Sequence, residues 1–63
     1  MSTVYQVKSD NEYDVDGRWF DSIKLAARGK KRNKKLYISV ATRKKDGELR
    51  SILTHPFEIR KGA

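Results

Sequence analysis

The stretch LYISVATRKKDGELRSILT, residues 36–54, decides the fold class of this protein. Its first part, residues 36–42, is rich in the β-branched and aromatic residues typical of strands. The Asp46-Gly47 dipeptide that follows is typical of a two-residue hairpin turn, and residues 49–54 form a second apolar segment that can return alongside the first. The stretch therefore predicts an antiparallel β-hairpin.

A two-residue turn at Asp46-Gly47 also predicts the register of the hairpin. Val40 then faces Leu53 and Arg43 faces Arg50, because partners lie at equal distances from the turn. Side-chain alternation places four apolar residues on one face as the expected core: Ile38, Val40, Leu49 and Leu53. Two arginines directly opposite each other are unfavourable unless an anion lies over them. The alternative is a longer turn, which would separate the arginines.

The segments on either side of the hairpin predict further strands. Val4, Tyr5 and Val7 indicate a strand over residues 3–8, and residues 12–15 are expected to pair back onto it after the Ser9-Asp10-Asn11 turn. At the other end, Phe57 and Ile59 indicate a short last strand. Pro56 restricts that part of the chain to a sheet edge or a bend, because proline cannot donate to the ladder.

Residues 19–29 fit two periods. At a period of two, Trp19, Ile23 and Leu25 share a face as in a strand, and this interpretation is favoured. At a period of 3.6, Phe20, Ile23 and Ala27 share a face; Asp21 or Ser22 would then be the N-cap and Gly29 the C′ residue. Trp19 is expected in the core, and the alternative is that it adds a surface on which an unpaired base stacks.

These segments predict one small domain, residues 1–63, of the mainly β class. The expected architecture is a small twisted antiparallel sheet or a partly open five-stranded, SH3-like barrel, with one short helix near residues 21–28 as the variant. A chain of 63 residues buries only about 60% of the surface that its unfolded form exposes, so its core is thin. The absence of cysteine excludes disulfides, thiolate catalysis and zinc-ribbon chemistry.

The charge is distributed unevenly along the chain. Residues 1–22 hold two bases and five acids, a net charge of −3, whereas residues 23–63 hold thirteen bases and three acids, a net charge of +10. Residues 30–35 alone contain five bases in six positions and are expected to form an exposed loop. A basic domain with its charge concentrated in one part has the electrostatic character of a polyanion-binding protein.

The function expected from this charge is noncatalytic nucleic-acid binding, with duplex DNA favoured over RNA. Lysine meets phosphate as a mobile point charge, so phosphate contacts with weak sequence specificity are expected. Tyr37 would add a surface on which an unpaired base stacks. The expected nucleic-acid-binding residues are Arg28, Lys30, Lys31, Arg32, Lys34, Lys35, Tyr37, Arg43, Lys44, Lys45 and Arg50.

The alternative is a small regulator, similar in size and charge to phage accessory proteins, that binds an acidic surface of a transcription or replication protein. The acidic residues 10–21 are then a candidate protein-binding segment. Catalysis, a cofactor, a metal and a small-molecule substrate are not expected, because His55 is the only histidine and the four glycines are scattered. No signal peptide or membrane span is recognised, so a cytoplasmic or nucleoid-associated location is expected.

Overall fold

The computed structural model of the chain describes residues 2–30 and 35–59. These residues form an open antiparallel sheet of three strands and one short helix: β1 (Ser2–Lys8), α1 (Ile23–Ala26), β2 (Leu36–Arg43) and β3 (Leu49–Phe57). The strands lie side by side in chain order, with β2 in the middle. The mainly β class is therefore confirmed, and of the two expected architectures the sheet is the one found.

Each face of the sheet carries its own apolar cluster, because successive side chains of a strand point to opposite faces. On the face that α1 covers, the buried residues are Val7, Leu36 and Ile38, with Ala26 of the helix packed on them. We call it the helix face. On the other face Trp19 packs on Val4 and Ala41. We call this the loop face, since the chain between β1 and α1 crosses it.

The strand expected at residues 12–15 is wrong, and the side chain of Gln6 explains why. The Gln6 side chain is buried on the loop face. Its Nε2 donates to the Asp14 carbonyl oxygen at 2.9 Å, and its Oε1 accepts from the Asp14 N–H at 2.8 Å. A side chain thus takes the backbone groups that a strand partner would have used. Tyr13 and Val15, which a paired strand would have placed on one face with Tyr5 and Val7, are 43% and 63% exposed.

The strand favoured for residues 19–29 is also wrong, and the short-helix alternative is confirmed. Ser22 is the N-cap, and its Oγ accepts from the Leu25 N–H at 3.2 Å. Gly29 has a φ of +79° but lies two positions after the C-cap Ala27, so it is the C″ residue and its expected C′ position is wrong by one. One strand-like contact remains: Phe20 forms a single antiparallel bridge to Tyr5, with N···O distances of 2.7 and 2.8 Å. A helix of four residues depends on packing, and here Ala26 supplies it.

The hairpin turn has three residues, Lys45 to Gly47, instead of two. The Lys44 N–H donates to the Glu48 carbonyl oxygen, and the Gly47 N–H donates to the Lys44 carbonyl oxygen, each at 2.9 Å. Gly47 has a φ of +89°, the conformation that closes such a loop. The extra residue shifts the register beside the turn by one.

The shift separates the two arginines that were expected to face each other. Arg43 faces Leu49, and Arg50 faces Thr42 on the opposite side of the sheet. A β-bulge next to Ser51 then removes the shift, so Val40 faces Leu53 as predicted.

In β3 the core assignment of Leu53 and the face assigned to Leu49 are wrong, although the Val40–Leu53 register is right. Leu53 is 60% exposed, because α1 covers only the part of the helix face near Ile38. Leu49 is half-buried in the cluster on the loop face. Pro56 lies in β3, an edge strand, as expected. The separate last strand is not found: β3 continues to Phe57, and Ile59 follows it and packs on the core from outside the sheet.

Candidate nucleic-acid interface

The structure separates the expected nucleic-acid-binding residues into two groups at opposite ends of β2. Arg28, Lys30 and Lys35 lie before its first residue, and the other described bases lie at the hairpin turn: Arg43, Lys44, Lys45 and Arg50. A strand of eight residues spans roughly 25 Å, so the two groups are about that far apart. The remaining bases of the run, Lys31, Arg32 and Lys34, lie outside the described residues.

The hairpin group is partly neutralised by one carboxylate. Glu48 Oε2 lies 3.7 Å from Lys44 Nζ, and Glu48 Oε1 lies 3.5 Å from Arg50 Nε. Exposed ion pairs contribute only about 0–1 kcal/mol, and salt screens them. A phosphate can therefore displace Glu48 at little cost. Arg43 and Lys45 make no ion pair within residues 2–30 and 35–59, and they line a shallow depression beside Ser2.

Two members of the other group, Arg28 and Lys30, but not Lys35, line a cleft at the outer edge of β1, which we call the basic cleft. Its volume is about 590 Å³, and its basic side chains are Lys8, Arg18, Arg28 and Lys30. Asp14 is the one carboxylate among the residues that line it, so four bases and one acid leave a net charge of +3. Its apolar walls are Val7, Phe20, Leu25 and Ala26. The described part of the chain contains no ion pair that involves any of the four bases.

Sequence reasoning missed Lys8 and Arg18, because both lie in the acidic third of the chain. The Tyr5–Phe20 bridge brings them together, since it places residues 18–20 beside β1. The Arg18 guanidinium carbon lies 5.1 Å from the centroid of the Phe20 ring, a cation–π distance that holds the side chain at the cleft. Trp19 is buried on the loop face, and its neighbour Phe20 is half-buried on the helix face. Two adjacent aromatic residues, which a strand would point to opposite faces, were the sequence signal for this placement.

The backbone of β1 adds a polar group to the basic cleft. The N–H and C=O of Tyr5 both point away from β2, because both bond to Phe20. Amide groups alternate between the two edges of a strand, so those of Val7 point to the same outer edge. Val7 lines the basic cleft. An N–H donor therefore lies among four cationic side chains.

Among the acidic residues of the segment 10–21, Asp14 lines the basic cleft and the others do not. The loop of residues 9–18 is held to the loop face by Gln6, and its acids are exposed: Asp10, Glu12, Asp14 and Asp16. Asp21 is exposed too, and within the described ranges no carboxylate of residues 10–21 pairs with a base. The protein-binding segment expected over residues 10–21 is thus at the surface.

The aromatic residues differ in their availability to a base. Trp19 is 8% exposed, as expected for a core residue, and its ring lies 6.3 Å from that of Tyr13. Tyr37 is half-buried and faces Lys8 across the β1–β2 ladder. Tyr37 is therefore the one expected site residue of β2 that adjoins a residue of the basic cleft.

His55 is exposed on β3, and no three metal-ligating side chains come together in residues 2–30 and 35–59. No helix in these ranges is long and apolar enough to cross a membrane. Comparisons of the chain with protein-family models, with curated proteins and with solved structures found no match.

Proposed function

We propose that this protein is a noncatalytic nucleic-acid-binding domain that contacts the phosphate backbone of duplex DNA with weak sequence preference. The observation that supports the proposal best is the grouping of four bases with one carboxylate in the basic cleft. Such a cluster of unpaired like charges is unfavourable by itself, and an anion of high charge density relieves the repulsion.

Phosphate is favoured over base edges as the principal contact. The helix α1 has four residues, too few to place several side chains along a major groove. The two arginines of the hairpin point to opposite faces of the sheet, so they cannot read neighbouring bases together. Specificity is therefore expected to be low.

A salt titration with two unrelated duplexes of equal length tests the proposal. We expect the affinity to fall by several-fold to a hundredfold between low and physiological salt, with a slope that corresponds to about 3–6 neutralised phosphates. The two duplexes should bind within a few-fold of each other, and more tightly than single-stranded DNA or RNA of the same length.

Three outcomes would contradict the proposal in different ways. A thousandfold preference for one duplex would indicate a sequence-specific regulator. Tighter binding of the single strand than of the duplex would indicate that the protein recognises unpaired bases by stacking. A failure to bind either duplex at low salt would favour the alternative, a regulator that binds an acidic protein surface.

A further inference from the structure

We infer that the basic cleft is a phosphate-binding site, and that Lys8 and Arg18 are binding residues of this protein. The cleft brings together bases from three separate parts of the chain: the end of β1, the segment before the Phe20 bridge, and the segment after α1. The inference rests on the proposed function only for the source of the phosphate, a nucleic-acid backbone.

The apolar walls of the cleft strengthen its attraction for an anion. Val7 and Ala26 are buried, and Phe20 is half-buried, so low-dielectric material lies behind the charged groups. A cleft lined by one sign of charge with such walls concentrates the field and raises the local concentration of the opposite ion. The depression at the hairpin is lined by Ser2, Arg43, Lys44 and Lys45 and has no apolar wall of this kind.

The geometry also favours phosphate over a single carboxylate. The bases come from the end of β1, from the segment before the Phe20 bridge and from the segment after α1, and Val7, whose amide points to the outer edge, lines the same cleft. A phosphodiester has two charged-oxygen acceptors and further ester oxygens, which suits several donors that converge from different directions. The Asp14 carboxylate makes no ion pair with these bases in the described ranges, and its Oδ1 accepts from the Asp16 N–H at 3.2 Å.

Lys8→Gln is the test variant, and Lys24→Gln is its matched control. Lys24 is exposed on α1 and lines the groove on the other side of the helix, and each variant removes one charge. Lys8 is preferred to Arg18 because Arg18 also packs on the Phe20 ring. The far-ultraviolet circular dichroism and melting temperature of both variants establish that the fold is kept.

Affinity for duplex DNA at low salt is the first measurement. We expect Lys8→Gln to weaken binding by about tenfold and to reduce the salt slope by about 1, whereas Lys24→Gln should change affinity less than twofold. The charge reversals Lys8→Glu and Lys24→Glu should widen the difference. If the wild-type protein binds DNA and the Lys8 and Lys24 variants lose the same affinity, the cleft assignment fails while the proposed function stands.

Titration of the isotope-labelled protein with inorganic pyrophosphate is the second measurement, and it does not depend on nucleic acid. We expect amide shifts at Val7, Lys8 and Lys30 that exceed those at Lys44 and Lys45. If these shifts occur but duplex DNA does not bind, the phosphate site stands and the proposed function fails. If poly-glutamate binds more tightly than duplex DNA and shifts the same amides, the site belongs to an acidic protein partner and the phosphate assignment is overturned.

Discussion

At the residue scale, Gln6 determines where the acidic loop lies. The side chain is 5% exposed, and both of its polar ends bond to the backbone of Asp14. Gly17 lies so close that a Cβ there would be 2.6 Å from Gln6 Nε2 and 3.1 Å from the Asp14 side chain. Position 17 requires glycine, because a larger residue would displace the Gln6 side-chain amide from its two hydrogen bonds to Asp14.

Gly17→Ala should therefore destabilise the protein by about 1–3 kcal/mol, the range for an overpacked position. Urea denaturation measures the change in the free energy of unfolding. The control is the same substitution in a Gln6→Ala background, where the side chain that clashes is gone. We expect the penalty of Gly17→Ala to fall by at least half there, because contacting residues are not additive. An equal penalty in both backgrounds would show that Gln6 does not constrain residue 17.

At the scale of an element, the bulge in β3 decides which side chains of the hairpin share a face. Ser51 has a φ of +55°, the only non-glycine residue with a positive φ in the described ranges. Left-handed backbone costs about 1 kcal/mol or more for ordinary residues and little for glycine. The three-residue turn places Arg43 and Arg50 on opposite faces, and the bulge restores the expected register at Leu53.

Ser51→Gly and Ser51→Val should therefore change stability in opposite directions. Glycine adopts the positive φ without strain, so we expect a gain of up to about 1 kcal/mol, and valine should cost more than 1 kcal/mol. In a regular strand the order would be reversed, because valine favours strands and glycine disfavours them. Thermal melting of both variants gives the order. If the valine variant is the more stable of the two, the strand is regular at Ser51, and the two-residue turn with Arg43 facing Arg50 is the correct register.

At the scale of the whole molecule, the two groups of bases are separated by the length of β2. A separation of roughly 25 Å corresponds to about 7 base pairs of B-DNA. The principal axes of the described chain measure 37, 21 and 16 Å, so the groups lie along the long dimension of the molecule. A single duplex that contacts both groups of bases must therefore contain at least about 7 base pairs.

We expect a stem of 5 base pairs, closed by a tight loop, to bind about tenfold more weakly than a stem of 12 base pairs, with a smaller salt slope. Lengthening the stem from 12 to 20 base pairs should raise the affinity only in proportion to the larger number of equivalent binding positions. Fluorescence anisotropy at fixed salt measures these affinities. The Arg43→Gln/Lys45→Gln variant is the control, because it removes the two hairpin bases that make no ion pair within residues 2–30 and 35–59, and it should respond less to length. Equal length dependence in both proteins would mean that the hairpin group does not contact DNA.

The strands β1, β2 and β3 and the overall basic charge were predictable from the sequence, because they depend on local composition. A run of β-branched and aromatic residues, or an excess of lysine, has the same meaning wherever the chain places it. The helix at 23–26 was visible only as an alternative. Its cap residues favour a helix, but periodicity in so short a segment fits a strand equally well.

The basic cleft depended on tertiary structure, because its four bases are brought together by the Phe20 bridge and α1. The loss of the strand at residues 12–15 has the same origin: one buried glutamine side chain, Gln6, occupies the Asp14 backbone groups that a strand would have used. The separation of Arg43 from Arg50 follows from a single added residue in the turn. Because side chains alternate along a strand, a change of one residue moves a side chain to the other face, and composition alone does not determine that register.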